Sequence, residues 1–260
     1  MSTTLSSTKL SSTKLSFAQQ KLIELNVEGY ASLVDAFDQS CAEFAKKPAF
    51  HCLGQTLSYA DIEAHSRNFG AFLAESCGLK PGDRIAIQLP NINQFPIVVW
   101  GALRIGLTVV NTNPMYTARE QLHQFNDSGA KALVVLSDLL PVTEQVVPNT
   151  GIETVIATHA MDMLQAQPAP QTSLTNVVTL PDALALGADL VMPKVIMSMD
   201  DLAVLQYTGG TTGPAKGAML SHGNVFAGRR MSKLSVFEET DDDEILIAPM
   251  PLYHVFGFTM

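Results

Sequence analysis

Eleven consecutive residues carry the densest chemistry in this sequence: Tyr207-Thr208-Gly209-Gly210-Thr211-Thr212-Gly213-Pro214-Ala215-Lys216-Gly217. Glycine lets a backbone take positive φ and turn successive N–H groups to one side, which makes a concave anion cradle that no side chain blocks. Three threonine hydroxyls add neutral donors and oxygen ligands for a hard cation, and Lys216 adds a positive charge. A polyphosphate is the ligand that uses all of these groups. The order of residues excludes a Walker A loop, because Pro214 and Ala215 separate Gly213 from Lys216, and Gly217 stands where that loop needs a hydroxyl. On composition alone, the competing reading is a Gly/Thr-rich surface hairpin.

Three further strings offer polar groups. Pro249-Met-Pro251-Leu-Tyr253-His254-Val255-Phe256-Gly-Phe258 sets one histidine among aromatics, where a core histidine with satisfied hydrogen bonds competes with a functional one. Ser221-His222-Gly223-Asn224 reads as a helix start, with Ser221 capping a helix that begins near Asn224. The acidic run Glu238–Glu244 lacks the glycine and alternating spacing of a calcium loop, so it reads as a solvated turn before a strand at Ile245–Ala248.

The string Tyr-Thr-Gly-Gly-Thr-Thr-Gly-x-x-Lys-Gly resembles the phosphate-binding signature of the adenylate-forming superfamily: acyl-CoA synthetases, luciferases and peptide-synthetase adenylation domains. Its Thr-Gly-Gly is similar to that of bacterial long-chain fatty-acid–CoA ligases. The order Pro214-Ala215-Lys216 departs from the family, in which proline usually stands immediately before the lysine. Gly82-Asp83-Arg84 through Pro90-Asn91, and Val110 through Tyr116 with Asn126 through Ala130, resemble earlier blocks of the same superfamily. The resemblance therefore runs from about Tyr30 to the last residue.

The resemblance implies ATP-dependent activation of a long-chain fatty acid to an acyl-adenylate and then to acyl-CoA, with ATP, Mg2+ and coenzyme A taking part. It sets Tyr207 and Gly217 at the ends of the phosphate cradle and Thr208 on the phosphate and magnesium side. Gly209, Gly210, Thr211, Thr212 and Gly213 would wrap the β- and γ-phosphates, with Lys216 near pyrophosphate. His254 would flank the acyl carboxylate as the catalytic candidate, and Val255 and Phe258 would line the fatty-acid tunnel. The resemblance also implies a cytoplasmic protein and allows peripheral association with the inner face of the membrane and, at full length, a homodimer. It places the adenine-binding stretch, the acidic magnesium ligand, the ribose-binding aspartate, the hinge and the adenylating lysine beyond Met260. The chain is thus expected to hold the N-terminal half and to complete neither half-reaction alone. The alternatives are an inactive phosphate-binding fragment or pseudoenzyme, and an adenylating ligase for another carboxylate.

These residues need elements to position them, and the chain supplies enough apolar material: 47% of its 260 residues are hydrophobic. The formal net charge of −9, without a basic patch, argues against a nucleic-acid partner. Three cysteines, Cys41, Cys52 and Cys77, without a C-x-x-C pair argue against a disulfide framework or a zinc site and for a reducing compartment, and all three read as buried small hydrophobes. No run reaches the roughly 18 apolar residues of a membrane span, since Arg104 interrupts Ile97–Val110. Residues 1–29 hold the repeat Leu5-Ser-Ser-Thr-Lys, Leu10-Ser-Ser-Thr-Lys, Leu15-Ser. Steps of five turn a helix by about 140° and give no common apolar face, so a low-complexity disordered tail is expected there.

From Tyr30 onward, helical spacing alternates with short apolar runs. Helices are expected from Leu33 to Phe44, from Ser58 to Gly78, from Asn93 to Ile105 and from Thr117 to Ser128. Strands are expected at Ala49–Leu53, Ile85–Leu89, Leu107–Asn111, Ala132–Leu136, Thr154–Thr158 and Leu202–Gln206. Such alternation predicts an α/β fold with a parallel-rich sheet covered by helices. The stretch 165–193 loses periodicity and gathers prolines, which reads as an excursion or a boundary. Residues 30–260 are otherwise expected to form the N-terminal part of one AMP-binding domain.

Overall fold

The computed structural model describes residues 29–208, 213–236 and 245–259. The tail expected over 1–29, apart from Gly29, and the acidic turn expected at Glu238–Glu244 lie outside the described residues.

Helix α1 (Leu33–Glu43) starts where the Ser32 hydroxyl accepts from the Asp35 amide, and it buries Leu33, Val34, Phe37 and Cys41 at helical spacing. It ends before Pro48, which instead opens strand β1 (Pro48–Cys52) of a small antiparallel pair with β2 (Gln55–Ser58). Ser58 and Asp61 form a capping box at the expected start of α2 (Tyr59–Ala71). A π-helical turn (Phe72–Ser76) follows, and Gly78 then leaves the helical region with φ 68°.

The main sheet follows: β3 (Arg84–Gln88), α3 (Gln94–Arg104), β4 (Thr108–Asn111), α4 (Ala118–Ser128), β5 (Ala130–Leu136), α5 (Leu140–Val146) and β6 (Thr154–Thr158). β7 (Val177–Thr179), α6 (Leu180–Ala188), β8 (Leu202–Thr208), β9 (Lys216–Ser221), α7 (His222–Val236) and α8 (Val255–Thr259) complete the described elements. The sheet has seven strands in the order β7-β6-β5-β3-β4-β8-β9. Every neighbouring pair is parallel except β8 with β9.

A strand alternates its side chains between two faces, and both faces of this sheet are covered. Ile85, Ile87, Val109, Val134 and Ile156 belong to one apolar cluster with α1, α2, α3 and α6. Ala86, Val110, Leu133, Val135, Leu205 and Tyr207 belong to a second cluster with Phe125 of α4 and with Leu140 and Val146 of α5. Strands buried on both sides explain the continuous apolar runs seen in the sequence.

Four features differ from expectation. The stretch 165–193 is not irregular throughout: β7 extends the sheet edge, and Pro181 sits in the first turn of α6, whose Leu180 and Ala183 are fully buried. Proline suits a helix's first turn because the N–H it lacks has no partner there. Helix α5 has no strong apolar period and was not expected. The expected strand Ile245–Ala248 has no regular structure, and Ile245 and Ile247 are exposed, because no neighbouring strand among the described residues pairs with it. Only Cys41 of the three cysteines is buried. Burial pushes the thiols of Cys41 and of half-buried Cys77 up to about 11, so both stay protonated and unreactive near neutrality.

Candidate functional site

Ligands of open α/β sheets sit beyond the carboxyl ends of the parallel strands, and both informative strings meet at that edge. β8 leads out of the buried sheet with Ala203, Val204, Leu205, Gln206 and Tyr207 all buried, and exposes Thr208 at its end. β9 returns antiparallel, pairing Tyr207 with Gly217 and Thr208 with Lys216. The two ends of the Gly/Thr-rich string therefore form a hairpin stem, while Gly209, Gly210, Thr211 and Thr212 lie outside the described residues.

Directly paired residues share a face. Thr208 and Lys216 therefore stand on one side of the hairpin stem, and Tyr207 and Gly217 on the other. On the Tyr207 side, the phenol donates a 2.6 Å hydrogen bond to Asp127 Oδ2 of α4. Burial first, and then this bond, push the Tyr207 phenol well above its ordinary value, so it remains a donor throughout the neutral range. A Cβ on Gly217 would lie 2.9 Å from the Tyr207 ring, so glycine is the residue that lets the ring lie across its strand partner. A Cβ on Gly213 would meet no atom of the described residues within 4 Å.

His123 Nε2, one turn before Asp127 on α4, lies 2.8 Å from the Ala215 carbonyl and donates to it. Helix α4 is itself fixed at both ends, by the Thr117–Glu120 capping box and by left-handed Gly129. Gln124 Nε2 also donates to the Asn111 carbonyl at the end of β4.

On the Thr208 side lies the second string. Gln206 points to this face, accepts from Asn111 Nδ2 at 3.2 Å and donates to the Tyr253 carbonyl at 3.2 Å. Asn91, just past the end of β3, holds the preceding segment with one side chain. Its Nδ2 donates to the carbonyls of Ala248 and Met250, both at 2.9 Å, and its Oδ1 accepts from the Leu252 amide at 2.8 Å. This segment carries no ladder bonds, so the amide of Asn91 stands in for a neighbouring strand.

His254 is exposed and opens α8 rather than filling the core. Its Nδ1 accepts from the Phe256 amide at 3.4 Å and its carbonyl from the Phe258 amide at 2.9 Å. Acceptance at Nδ1 places the ring proton of the neutral form on Nε2. Val255 is half-buried, and Phe258 packs edge-on against Phe95 of α3 with ring centroids 6.4 Å apart.

The structure thus brings Tyr207, Thr208, Lys216, Gly217, His254, Val255 and Phe258 to one edge of the sheet. Ser221 caps α7 as expected, trading hydrogen bonds with Asn224, although the helix already begins at His222. Buried His222 binds elsewhere, its Nδ1 accepting from the Leu33 amide at 3.3 Å. Sequence reasoning missed Asn91, His123, Asp127 and Gln206. The one signal available was the spacing of His123 and Asp127, which puts both on one helix face. Among the described residues, no group of three His, Cys, Asp or Glu side chains is placed to hold a metal, and no helix is long and apolar enough to cross a membrane.

This fold is that of the N-terminal domains of adenylate-forming enzymes. A solved long-chain-fatty-acid-CoA ligase from Archaeoglobus fulgidus superposes with a TM-score of 0.71 at 26% identity, covering 88% of this chain and 44% of that one. The sequence pattern of the AMP-binding enzyme family matches residues 37–260, and the chain belongs to that family. It is 39% identical over 252 residues to a long-chain-fatty-acid–CoA ligase of Escherichia coli, covering 91% of this chain and 45% of the relative. It is 40% identical over 256 residues to the Salmonella typhimurium protein of that name, with the same coverage. The chain therefore spans less than half the length of these curated relatives.

Proposed function

We propose that this chain supplies the triphosphate-holding hairpin and one wall of the acyl site of an ATP-dependent long-chain fatty-acid–CoA ligase. The observation that carries the reading is the Thr208–Lys216 cross-strand pair at the sheet's carboxyl edge, on the face to which Gln206 ties the turn leading to His254. Attack of a carboxylate on the α-phosphorus of ATP is helped most by orientation and by neutralising charge on the departing pyrophosphate. Lys216 would supply that charge, and the glycine-rich string Gly209 to Gly213 would supply backbone donors. His254 Nε2–H would orient the acyl carboxylate, with half-buried Val255 and Phe258 against the start of the acyl chain. Each methylene buried there contributes about 0.8 kcal/mol, which favours long chains.

Magnesium fits this donor set as a phosphate-bound ion. Mg2+ prefers hard oxygen and keeps much of its water, so exposed Thr208 would give one oxygen while phosphates and water give the rest. When bound, the ion draws charge from the phosphates. Coenzyme A would be the second acceptor of the acyl group. Residues 30–260 read as the N-terminal part of the AMP-binding domain, placed in the cytoplasm. The test is thioester formation from palmitate, acetate and coumarate, compared side by side with the protein at the full length of its relatives. Preference for palmitate is expected. Preference for coumarate or acetate would assign the fold to another carboxylate, and no thioester from any of them would overturn the ligase reading.

A further inference from the structure

We propose that His123 and Asp127 are positioning residues, a two-point strut on α4 that sets the phosphate hairpin from behind. The inference rests on the reading of that hairpin as a phosphate holder. His123 and Asp127 lie one turn apart, so their side chains leave the same face of α4. Asp127 takes the Tyr207 hydroxyl at 2.6 Å, a charge-assisted bond, and His123 donates to the Ala215 carbonyl at 2.8 Å. Tyr207 lies one residue before the end of β8, and Ala215 immediately precedes β9, so the two anchors hold the outgoing and the returning chain.

Both anchors lie behind the stem, on the side opposite Thr208 and Lys216, so neither side chain competes with a ligand in front. The Gly217 site completes the arrangement, since any side chain there would push the Tyr207 ring away from Asp127. The strut has a rigid footing: α4 buries Phe125, is capped at both ends and is bonded to the end of β4 through Gln124. A carboxylate near a phosphate site repels the ligand, so a residue kept there solely for charge would weaken binding. Its acceptor role predicts the opposite effect of truncation.

The experiment is titration of MgATP into the 260-residue chain, with a thermal melt of every variant. Asp127→Ala and Tyr207→Phe each weaken binding by about tenfold, and their double variant is no weaker than either alone, because one shared bond is lost. Asp127→Asn, which keeps an acceptor and removes the charge, binds as tightly as the native chain or tighter. His123→Ala weakens binding, and His123→Gln, which keeps a donor, restores it. Unchanged or tighter binding by Asp127→Ala and His123→Ala would overturn the strut while leaving the hairpin a phosphate holder. Asp127→Asn binding as weakly as Asp127→Ala would also overturn it. A native chain that binds no MgATP would overturn the phosphate reading beneath it.

Discussion

The hairpin stem and the segment 245–259 lie at the same edge of the same sheet, yet they are held by different means. The stem is an extension of the core: β8 is buried through Tyr207, β9 pairs along it, and α4 grips it from behind. The segment has no ladder through Met250 and leaves Ile245 92% and Ile247 81% exposed, resting on the side-chain amides of Asn91 and Gln206 and on Phe258. Backbone ladders fix many atoms cooperatively, whereas side-chain tethers fix a few points and let the rest adjust. A polyphosphate needs donors at set positions, which suits the stem. An apolar chain is gripped by area rather than by geometry, which suits a tethered wall.

The comparison breaks first at its aromatics. Tyr207→Ala removes a buried ring and an ionic hydrogen bond and is expected to cost about 3–5 kcal/mol, whereas half-buried Phe258→Ala costs about 1 kcal/mol. Urea unfolding checks the order, and equal losses would show that the two regions are equally built into the core. Next comes Asn91→Ala. Hydrogen exchange of the Leu252 amide is expected to quicken at least about tenfold as local opening becomes easier, with the amides of β8 unchanged.

The smallest effect is one of pH. Burial holds His222 below the ordinary imidazole value of 6.5, with Asp201 opposing. The folded chain thus binds that proton more weakly than the unfolded chain. Stability from neutral His222 is complete above 6.5 and is lost as pH falls through the lowered folded value. His65 shifts the same way through burial, so the measurement is a difference. His222→Asn keeps an acceptor for the Leu33 amide without titrating, and its melting temperature is expected to fall less than the native one between about pH 7.5 and pH 5.5.

Most of the fold was legible because its signals are local. Capping boxes at Ser58 and Thr117, the glycine stop at Gly129 and the doubly buried strands each announce themselves within a few residues. α5 and β7 were not legible, being short and given shape by their neighbours. Ile245–Ala248 carried a strand's apolar pattern without finding a pairing partner among the described residues. Of the site, the glycines, threonines and lysine were visible as a string. Asn91, Asp127 and Gln206 were not, because a polar residue that bonds to a backbone 47 to 161 positions away, or to a tyrosine 80 away, leaves no mark in its own neighbourhood.

The most direct test of the central claim is calorimetric titration of MgATP into the 260-residue chain and into folded Gly210→Val, with pyrophosphate as competitor. The account predicts saturable binding that pyrophosphate displaces and that Gly210→Val abolishes. Absent binding, or an affinity that Gly210→Val leaves unchanged, would contradict it.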